Sequence, residues 1–331
     1  MEFVPIEVSS DAPIFIVGCP RSGTTLLRNL LNSHPHLTFP EESHFIPVFY
    51  RGYGDPRDER EARRLAERVL SLQWVRRWGL KVGAESFADC RSFREFLCHL
   101  YEAWARQENK PRWGDKTPPY VTEIPLLVKL FPGARIIHIY RDGRDVALSW
   151  IRIRYQPQNL YTAAKLWKAN VSSGRQAGAV LPREAYLEVC FERLLQQPRD
   201  TMQRVCAFIG EPFDEAVLGY NRLQRDPHSG RMERTGPRRE VEPANCAKWK
   251  TRMRTPDRVV FESVAGDLLE TLGYEREGRT RRIWSAERLK WDLHQEFWWA
   301  VQRLRTLSHQ PYRFSVVKAI WAQARSGVRG A

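Results

Sequence analysis

The sequence predicts an α/β fold: a P-loop-like parallel sheet flanked by helices, with a helical extension at the C-terminal end. Two stretches carry this prediction. Each begins with a short, mostly apolar run, residues 14–17 and residues 135–140, typical of a strand buried on both faces of a parallel sheet. Each run then passes through a tight turn into residues with the apolar spacing of a helix. At 331 residues the chain is long enough to bury a large core.

The loop after the first run has the spacing of a phosphate-binding loop. Gly18 and Gly23 are separated as in G-x-x-x-x-G-K-[ST], but Thr24 stands where that loop has its lysine. Backbone N–H groups and the positive end of the next helix converge on an anion in such a loop, and Arg21 supplies a cation. The alternative is a turn that needs glycine for backbone reasons alone. The sequence P-R-S-G-T-T after an apolar run favours an anionic ligand, and the missing lysine disfavours γ-phosphoryl transfer.

The turn after the second run also brings cations to the end of a strand. In the sequence R-D-G-R, Arg141 follows the strand directly, and Ser149 lies two turns into the helix that comes next. Such a turn alone is usually structural. With a phosphate loop upstream, a second phosphate site is the more economical interpretation. Together the two units predict a ligand with phosphates at both ends.

Carboxylates follow a second predicted strand, residues 37–39. Glu41, Glu42 and His44 come just after it, beside the carboxyl end of the first strand, where ligands bind in open α/β sheets. Glu42 is therefore a candidate general base, although adjacent carboxylates are more often surface residues. Lys116 lies in W-G-D-K-T-P-P-Y, which we predict to be a loop, and a loop lysine by itself is most simply solvated.

Three further stretches have helical patterns. Residues 55–77 predict a charge-dense helix with a solvated face, and residues 91–109 predict an amphipathic helix with an aromatic core side. A third helix of about six turns is predicted near the C-terminus. Its apolar stripe consists of Ile283, Trp284, Trp291, Phe297, Trp298, Val301 and Leu304. This stripe is expected to pack on its own domain or on a dimer partner, and contact with a membrane surface is the alternative.

Composition limits the kinds of metal or disulfide site, the location and the class of ligand that we expect. The six cysteines show no C-x-x-C pair and no Cys/His ligand spacing, so neither a zinc site nor a disulfide framework is predicted. The N-terminus does not have the pattern of a signal peptide, and no run of eighteen apolar residues occurs, so we expect a soluble, cytoplasmic protein, with peripheral membrane contact as a variant. The net charge is +14, of which +8 falls in residues 276–331. A moderately basic body suits a small polyanion.

These motifs together resemble the sulfotransferases that use 3′-phosphoadenosine 5′-phosphosulfate (PAPS). P-R-S-G-T-T is similar to the family's 5′-phosphosulfate loop, and R-D-G-R-D-V-A-L-S to its 3′-phosphate site. Within the family, P-E-E-S-x-x-I-P, D-K-T-P and L-F-P-G-A-R resemble the protein-tyrosine sulfotransferase branch and its bacterial relatives. The resemblance runs to about residue 274, so it implies a catalytic domain over residues 1–275 and a basic, Trp-rich extension over residues 276–331.

The resemblance also implies roles for individual residues. The 5′-phosphosulfate is assigned to Arg21, Ser22, Gly23, Thr24 and Thr25. The 3′-phosphate is assigned to Arg141 and Ser149, with Thr235 and Lys248 near further cofactor contacts. Glu42 corresponds to the catalytic base, and Lys116 to a lysine that stabilises the leaving oxygen together with Arg21. No metal is required in this scheme, because the cations neutralise the charge of the leaving group.

The chain departs from the branch at three positions. His44 replaces a basic residue that helps to hold acidic peptides, Gly114 replaces a disulfide cysteine of the animal enzymes, and Phe191 stands where a tyrosine is common. The first departure leaves the acceptor open among a tyrosyl peptide, a saccharide, a lipid and a small phenol. Two other functions stay as alternatives: a P-loop kinase or nucleotide triphosphatase, and a non-catalytic nucleic-acid-binding protein. Thr24 disfavours the first, and the second lacks a recognition motif, so no nucleic acid is expected.

Overall fold

Five parallel strands form the central sheet of the computed structural model, which describes residues 9–151, 153, 156–225, 232–239, 241 and 245–307. The strands are β1 (Ser9–Val17), β2 (Leu37–Thr38), β3 (Arg112–Lys116), β4 (Arg135–Tyr140) and β5 (Tyr186–Cys190), in the order β2-β3-β1-β4-β5. A separate antiparallel pair consists of β6 (Tyr220–Arg225) and β7 (Met232–Arg239). Because the five strands are parallel, all their carboxyl ends lie at one edge, as the predicted fold class requires.

Helices cover both faces of this sheet. Those of the first half of the chain are α1 (Thr24–Asn32), α2 (Ile46–Tyr53), α3 (Glu59–Leu70), α4 (Gln73–Arg76), α5 (Phe93–Gln107) and α6 (Ile124–Leu130). Those of the second half are α7 (Gly143–Trp150), α8 (Leu160–Ala179), α9 (Phe191–Gln196), α10 (Pro198–Ile209), α11 (Trp249–Arg252), α12 (Thr255–Thr271) and α13 (Ser285–Leu307). Along β1, Phe15 and Val17 pack into one apolar cluster and Ile14 and Ile16 into another, so the strand is buried on both faces as predicted.

The segment that holds Lys116 is a strand, so our prediction of a loop there is wrong. β3 pairs with both β1 and β2, and Lys116 is its last residue. Trp113 stacks on Tyr101 with ring centroids 4.5 Å apart, and Asp115 accepts a 2.6 Å hydrogen bond from the same tyrosine. The polar residues of this strand have partners from distant parts of the chain, Tyr101 for Asp115, Glu211 for Arg112 and Glu42 for Lys116, which the local pattern does not reveal.

The predicted helix over residues 55–77 is two helices, α3 and α4, separated at Ser71 and Leu72. Asp58 caps α3 by accepting the Glu61 N–H at 2.8 Å. The prediction for residues 91–109 is confirmed by α5, whose apolar side is buried throughout. Six of its predicted core side chains, Phe93, Phe96, Leu97, Leu100, Tyr101 and Trp104, are at most 1% exposed.

The C-terminal helix has the predicted length, and only part of its predicted stripe packs on the rest of the chain. α13 spans 23 residues, and Ile283 just before it is buried. Trp284 and Phe297 of the predicted stripe are 63% and 70% exposed, whereas Gln295 is 1% exposed. Trp291, Trp298 and Val301 of the same stripe are half-buried, and Trp291 packs against the cluster of Tyr161, Val260 and Ile283. Gln295 accepts a hydrogen bond from the backbone N–H of Gln158 just before α8. Among the described residues no helix has the length and hydropathy needed to cross a membrane.

Candidate active site

The loop between β1 and α1 is shaped by two glycines. Gly18 donates its N–H to the Pro118 carbonyl at 3.1 Å, and a side chain at Gly18 would meet the Ile139 carbonyl oxygen. Gly23 has a φ of 93° and packs against the Phe191 ring, so a larger residue there would be both strained and obstructed. These constraints fix the backbone at the carboxyl end of the central strand.

The backbone N–H groups at the start of α1 are hydrogen-bond donors that no side chain of the described residues caps. No side chain caps the helix at Gly23, and its first turn holds no acidic residue. Ser22 is fully buried, and its Oγ has no partner among the residues that the structure describes. Thr24 is buried beside it, while Thr25 is exposed. An uncapped helix N-terminus with an unpaired hydroxyl is suited to an anion.

Arg21 connects this loop to the second strand–turn–helix unit. Its Nε donates a 2.9 Å hydrogen bond to Ser149 Oγ on α7, across 128 residues of sequence. The backbone of Arg21 has a φ of 76°, a conformation that non-glycine residues adopt rarely. The loop thus directs this guanidinium toward the neighbouring unit. We predicted that Ser149 shares a phosphate with Arg141, and in the structure Ser149 Oγ accepts a hydrogen bond from Arg21.

Arg141 lies at the other end of the site, directly after β4. One of its Nη atoms donates to Asp145 at 3.0 Å and to the Asn245 carbonyl at 2.9 Å. Its guanidinium lies 4.6 Å from the centre of the Phe191 ring, and its Nε, within the described part of the chain, has no partner. Lys248 donates to the side-chain oxygen of the same Asn245 at 2.5 Å. Two cations are therefore gathered here, while the side chain of Thr235, on β7, lies outside the described residues.

Glu42 and Lys116 meet directly although 74 residues separate them. Lys116 Nζ donates to one oxygen of Glu42, and His44 Nε2 lies 2.9 Å from the other oxygen. Burial raises the pKa of Glu42, but the hydrogen bond from His44 and the charge of Lys116 outweigh it and lower that pKa to about 2. Burial lowers the pKa of Lys116, and the charge of Glu42 partly opposes this shift. At neutral pH the carboxylate is fully ionised.

A buried hydrogen-bond network fixes the segment around Glu42. The Ser43 N–H donates to Thr117 Oγ1 at 3.0 Å, and Ser43 Oγ is 2.8 Å from the Tyr120 hydroxyl. That hydroxyl also accepts the Ile46 N–H at 3.0 Å. His44 has a φ of 54°, a left-handed conformation that this network holds in place. The carboxylate therefore stands on a rigid support.

Comparison with known proteins decides what kind of site this is. The model of the Sulfotransferase family matches residues 13–215, which include both strand–turn–helix units and the Glu42–Lys116 pair. The chain belongs to the sulfotransferase family. This confirms the resemblance seen in the sequence, and it favours sulfuryl transfer over the kinase and nucleic-acid-binding alternatives.

The relatives of this sulfotransferase include animal and bacterial proteins. Protein-tyrosine sulfotransferase A of Caenorhabditis elegans is 27% identical over 280 residues, covering 79% of this chain and 67% of the relative. Nodulation protein NoeE of Sinorhizobium fredii is 26% identical over 288 residues, covering 79% and 66%. Protein-tyrosine sulfotransferase of Drosophila melanogaster is 23% identical over 275 residues, and the chain spans only 51% of its length.

Two solved structures share the fold. The sulfotransferase domain from the Synechococcus PCC 7002 olefin synthase has a TM-score of 0.56 at 23% identity, covering 82% of this chain and 96% of that one. The sulfotransferase domain from the curacin biosynthetic pathway has a TM-score of 0.57 at 20% identity, covering 80% and 98%. The observed parallel sheet with flanking helices is therefore the sulfotransferase fold.

The sequence analysis missed Arg28. This residue on α1 is 8% exposed and donates to the Pro40 carbonyl at 3.4 Å and to Asn29 Oδ1 at 3.2 Å. Burial lowers its pKa, and the charges of Glu42 and Glu41 partly oppose that shift. The positive charge of Arg28 in turn lowers the pKa of Lys116. The sequence signal was its place on the inward side of the helix that follows the glycine loop, a place where an arginine needs a partner.

A second group of polar residues lies away from this site. His34, His36 and Glu211 bring their ligand atoms within 4.8 Å of one another, a spacing that could hold a metal ion. His34 already accepts the His36 N–H at 3.1 Å and faces the Pro212 carbonyl at 2.9 Å. Glu211 binds Arg112 and the His36 ring. These side chains are therefore engaged with the protein itself, and they lie at the end of α1 remote from the glycine loop.

Proposed function

We propose that this sulfotransferase moves the sulfuryl group of PAPS to a hydroxyl of an acceptor, in line, with Glu42 as the general base. The observation that supports this most is the pair of anion-binding units joined by the hydrogen bond from Arg21 to Ser149. A nucleotide with a phosphate at each end matches two such units. The family membership supplies the reaction class.

Unpaired donors support the choice of co-substrate. Ser22 Oγ and Arg141 Nε, in the described residues, are buried without partners, and they belong to different units. Buried donors of this kind cost stability unless a ligand satisfies them. We infer that the 5′-phosphosulfate accepts from Ser22, from the N–H groups at the start of α1 and from Arg21. The 3′-phosphate then accepts from Arg141 and Lys248, with Ser149 and Thr235 nearby.

The proposed reaction makes one bond and breaks one. The acceptor oxygen bonds to sulfur while the sulfur–oxygen bond to the 5′-phosphate breaks, and the electron pair of that bond stays on the phosphate. Glu42 takes the acceptor proton. Lys116 and Arg21 neutralise the charge that develops on the leaving oxygen. Lys116 and Glu42 are paired in the free protein, so the proposed base and the proposed cation already lie side by side.

The acceptor is proposed only as a hydroxyl-bearing molecule. Two relatives are named protein-tyrosine sulfotransferases, which makes a tyrosyl peptide one candidate. A saccharide, a lipid and a small phenol are the others, since His44 stands at the position where peptide-binding relatives carry a stronger cation. The proposed scheme uses no metal, and a cytoplasmic location stays a prediction.

Binding of 3′,5′-adenosine bisphosphate (PAP) tests the co-substrate. We expect calorimetric titration to show micromolar binding, and Arg141→Ala to weaken it at least about tenfold. Arg199→Ala is the matched control, because Arg199 forms an exposed ion pair with Glu215 away from the site. Absence of PAP binding, or tight binding of ATP with Mg²⁺ in its place, would contradict the proposal. Transfer of labelled sulfate to an acceptor panel, read by mass spectrometry, then identifies the acceptor.

A further inference from the structure

The C-terminal helix presents two different faces. Toward α8 it uses polar contacts: Gln295 accepts from the backbone of Gln158 at 2.8 Å, and Asp292 pairs with Lys165 at 3.2 Å. Gln295 and Gln302 are 1% and 4% exposed. The inward face of α13 is therefore held by hydrogen bonds and an ion pair as much as by apolar packing.

The outward face of α13 is apolar. Leu289, Leu293 and Phe297 follow one another at intervals of four residues, so they form one stripe, and they are 59%, 59% and 70% exposed. Trp284, just before the helix, is 63% exposed. These are four of the seven large hydrophobic side chains that are exposed in the described part of the chain. Exposed hydrophobic side chains are normally scattered singly over a protein surface, so a group of them on one helix indicates a binding surface.

The charge around this stripe is positive. Residues 276–331 contain 12 Lys/Arg and 4 Asp/Glu. Three of those acidic side chains are already paired, Glu277 with Arg258, Glu287 with Arg281 and Asp292 with Lys165. Glu296, the fourth, and Lys290 lie exposed beside the stripe. The region therefore offers an apolar stripe with a net excess of cations next to it.

We propose that the outward face of α13 binds an anionic membrane surface, with the helix lying in the plane of the interface. Apolar side chains would enter the headgroup boundary, and the surrounding cations would contact acidic lipids. Trp284 suits this boundary because its ring is amphipathic. The proposal concerns a surface separate from the active site, so it does not depend on the identity of the acceptor.

A second copy of the chain and residues 308–331 are two other possible occupants of this face, and charge disfavours both. A second copy would bring another segment with an excess of eight positive charges against the first. Residues 308–331 of the same chain carry four Lys/Arg and no Asp/Glu, so as an occupant of this face they would bring positive charge to a segment that is already basic. An anionic surface complements the helix and those residues together.

Vesicle co-sedimentation of the full chain tests this proposal. We expect binding to phosphatidylcholine vesicles that contain phosphatidylglycerol, much weaker binding to phosphatidylcholine alone, and a decrease as salt is raised. The double variant Leu293→Ser with Phe297→Ser should bind at least about tenfold more weakly without any change in net charge. Val180→Ser is the matched control, because Val180 is 83% exposed but lies at the end of α8.

Two further measurements distinguish a variant that has lost the membrane-binding surface from a variant that has lost its fold. Each variant is also titrated with PAP, which binds at the other site, and its thermal unfolding is recorded. Unchanged vesicle binding by the double variant, or no binding of the wild-type chain to anionic vesicles, would overturn the proposal. So would a wild-type dimer in light scattering that the double variant converts to a monomer, because a second copy would then be the occupant.

Discussion

The proposed active site has a side for the cofactor and a side for the acceptor. The two sides differ in whether their polar groups already have protein partners. On the cofactor side, Ser22 Oγ and Arg141 Nε have no partner within the described residues, and the first turn of α1 is uncapped. On the acceptor side, both oxygens of Glu42 are engaged, one by Lys116 and one by His44. One side has free donors before any ligand arrives, and the other has its charges already paired.

This difference indicates how each side responds to its ligand. An anion can accept from Ser22 Oγ and Arg141 Nε without breaking a hydrogen bond of the described residues, so affinity should depend on these single donors. On the acceptor side the charges set each other's pKa, and Lys116 and His44 lie against the two oxygens of the carboxylate that is proposed to accept the proton. Changes there should affect turnover and its pH dependence more than cofactor affinity.

The largest effect is expected from Glu42→Gln. Loss of the base should lower kcat by about 10²–10⁴-fold, while PAP affinity changes little, because the amide keeps the shape of the carboxylate. Sulfuryl transfer under saturating PAPS measures the first quantity, and calorimetry measures the second.

Glu41→Gln is the control for this variant, since it removes the adjacent carboxylate and should leave kcat within about twofold. If Glu42→Gln turns over as fast as the wild-type chain, Glu42 is not the base. The description of the acceptor side as the side that controls turnover would then be wrong.

An intermediate effect is expected from Ser22→Ala. Its hydroxyl has no partner in the part of the chain that the structure describes, so the variant should keep its melting temperature. It should bind PAP about tenfold or more weakly, because a hydrogen bond to a charged group is lost. Ser43→Ala should behave in the opposite way: it breaks the contact with Tyr120 and lowers stability by about 1 kcal/mol, with PAP affinity nearly unchanged. Equal losses of affinity in both variants would show that the two sides do not differ as described.

The smallest effect is expected from Arg28→Gln, in the pH profile. Burial lowers the pKa of Lys116 and the charge of Arg28 lowers it further, so the substitution should raise that pKa. In the proposed mechanism protonated Lys116 is the active form, and its contribution to kcat is lost as pH rises through its pKa. The alkaline limb of kcat against pH should therefore move to higher pH.

Arg28→Lys keeps the charge and should leave the alkaline limb in place, even if the lost contact with Pro40 lowers kcat at every pH by a few fold. A shift of the same size in both variants would mean that Arg28 acts through the backbone and not through its charge.

The sequence by itself determined both strand–turn–helix units and, with them, the cofactor side. Strand β1, its glycine loop and α1 are contiguous, so the apolar run, the glycines and the helical spacing are all visible within residues 14–32. The same holds for β4 and α7 around Arg141. Family resemblance added Glu42 and Lys116, whose positional signals alone were weak.

Tertiary structure alone decided that β3 is a strand, that Glu42 meets Lys116 and that Arg28 influences both. It also decided which face of α13 turns inward. Each of these depends on partners far away in sequence: Tyr101 for Asp115, Glu42 for Lys116, and Gln158 for Gln295. A local pattern records only how a segment could bury its own apolar side chains. Polar contacts from another element can bury a strand or determine which face of a helix turns inward. The residue pattern of the segment itself does not show such contacts.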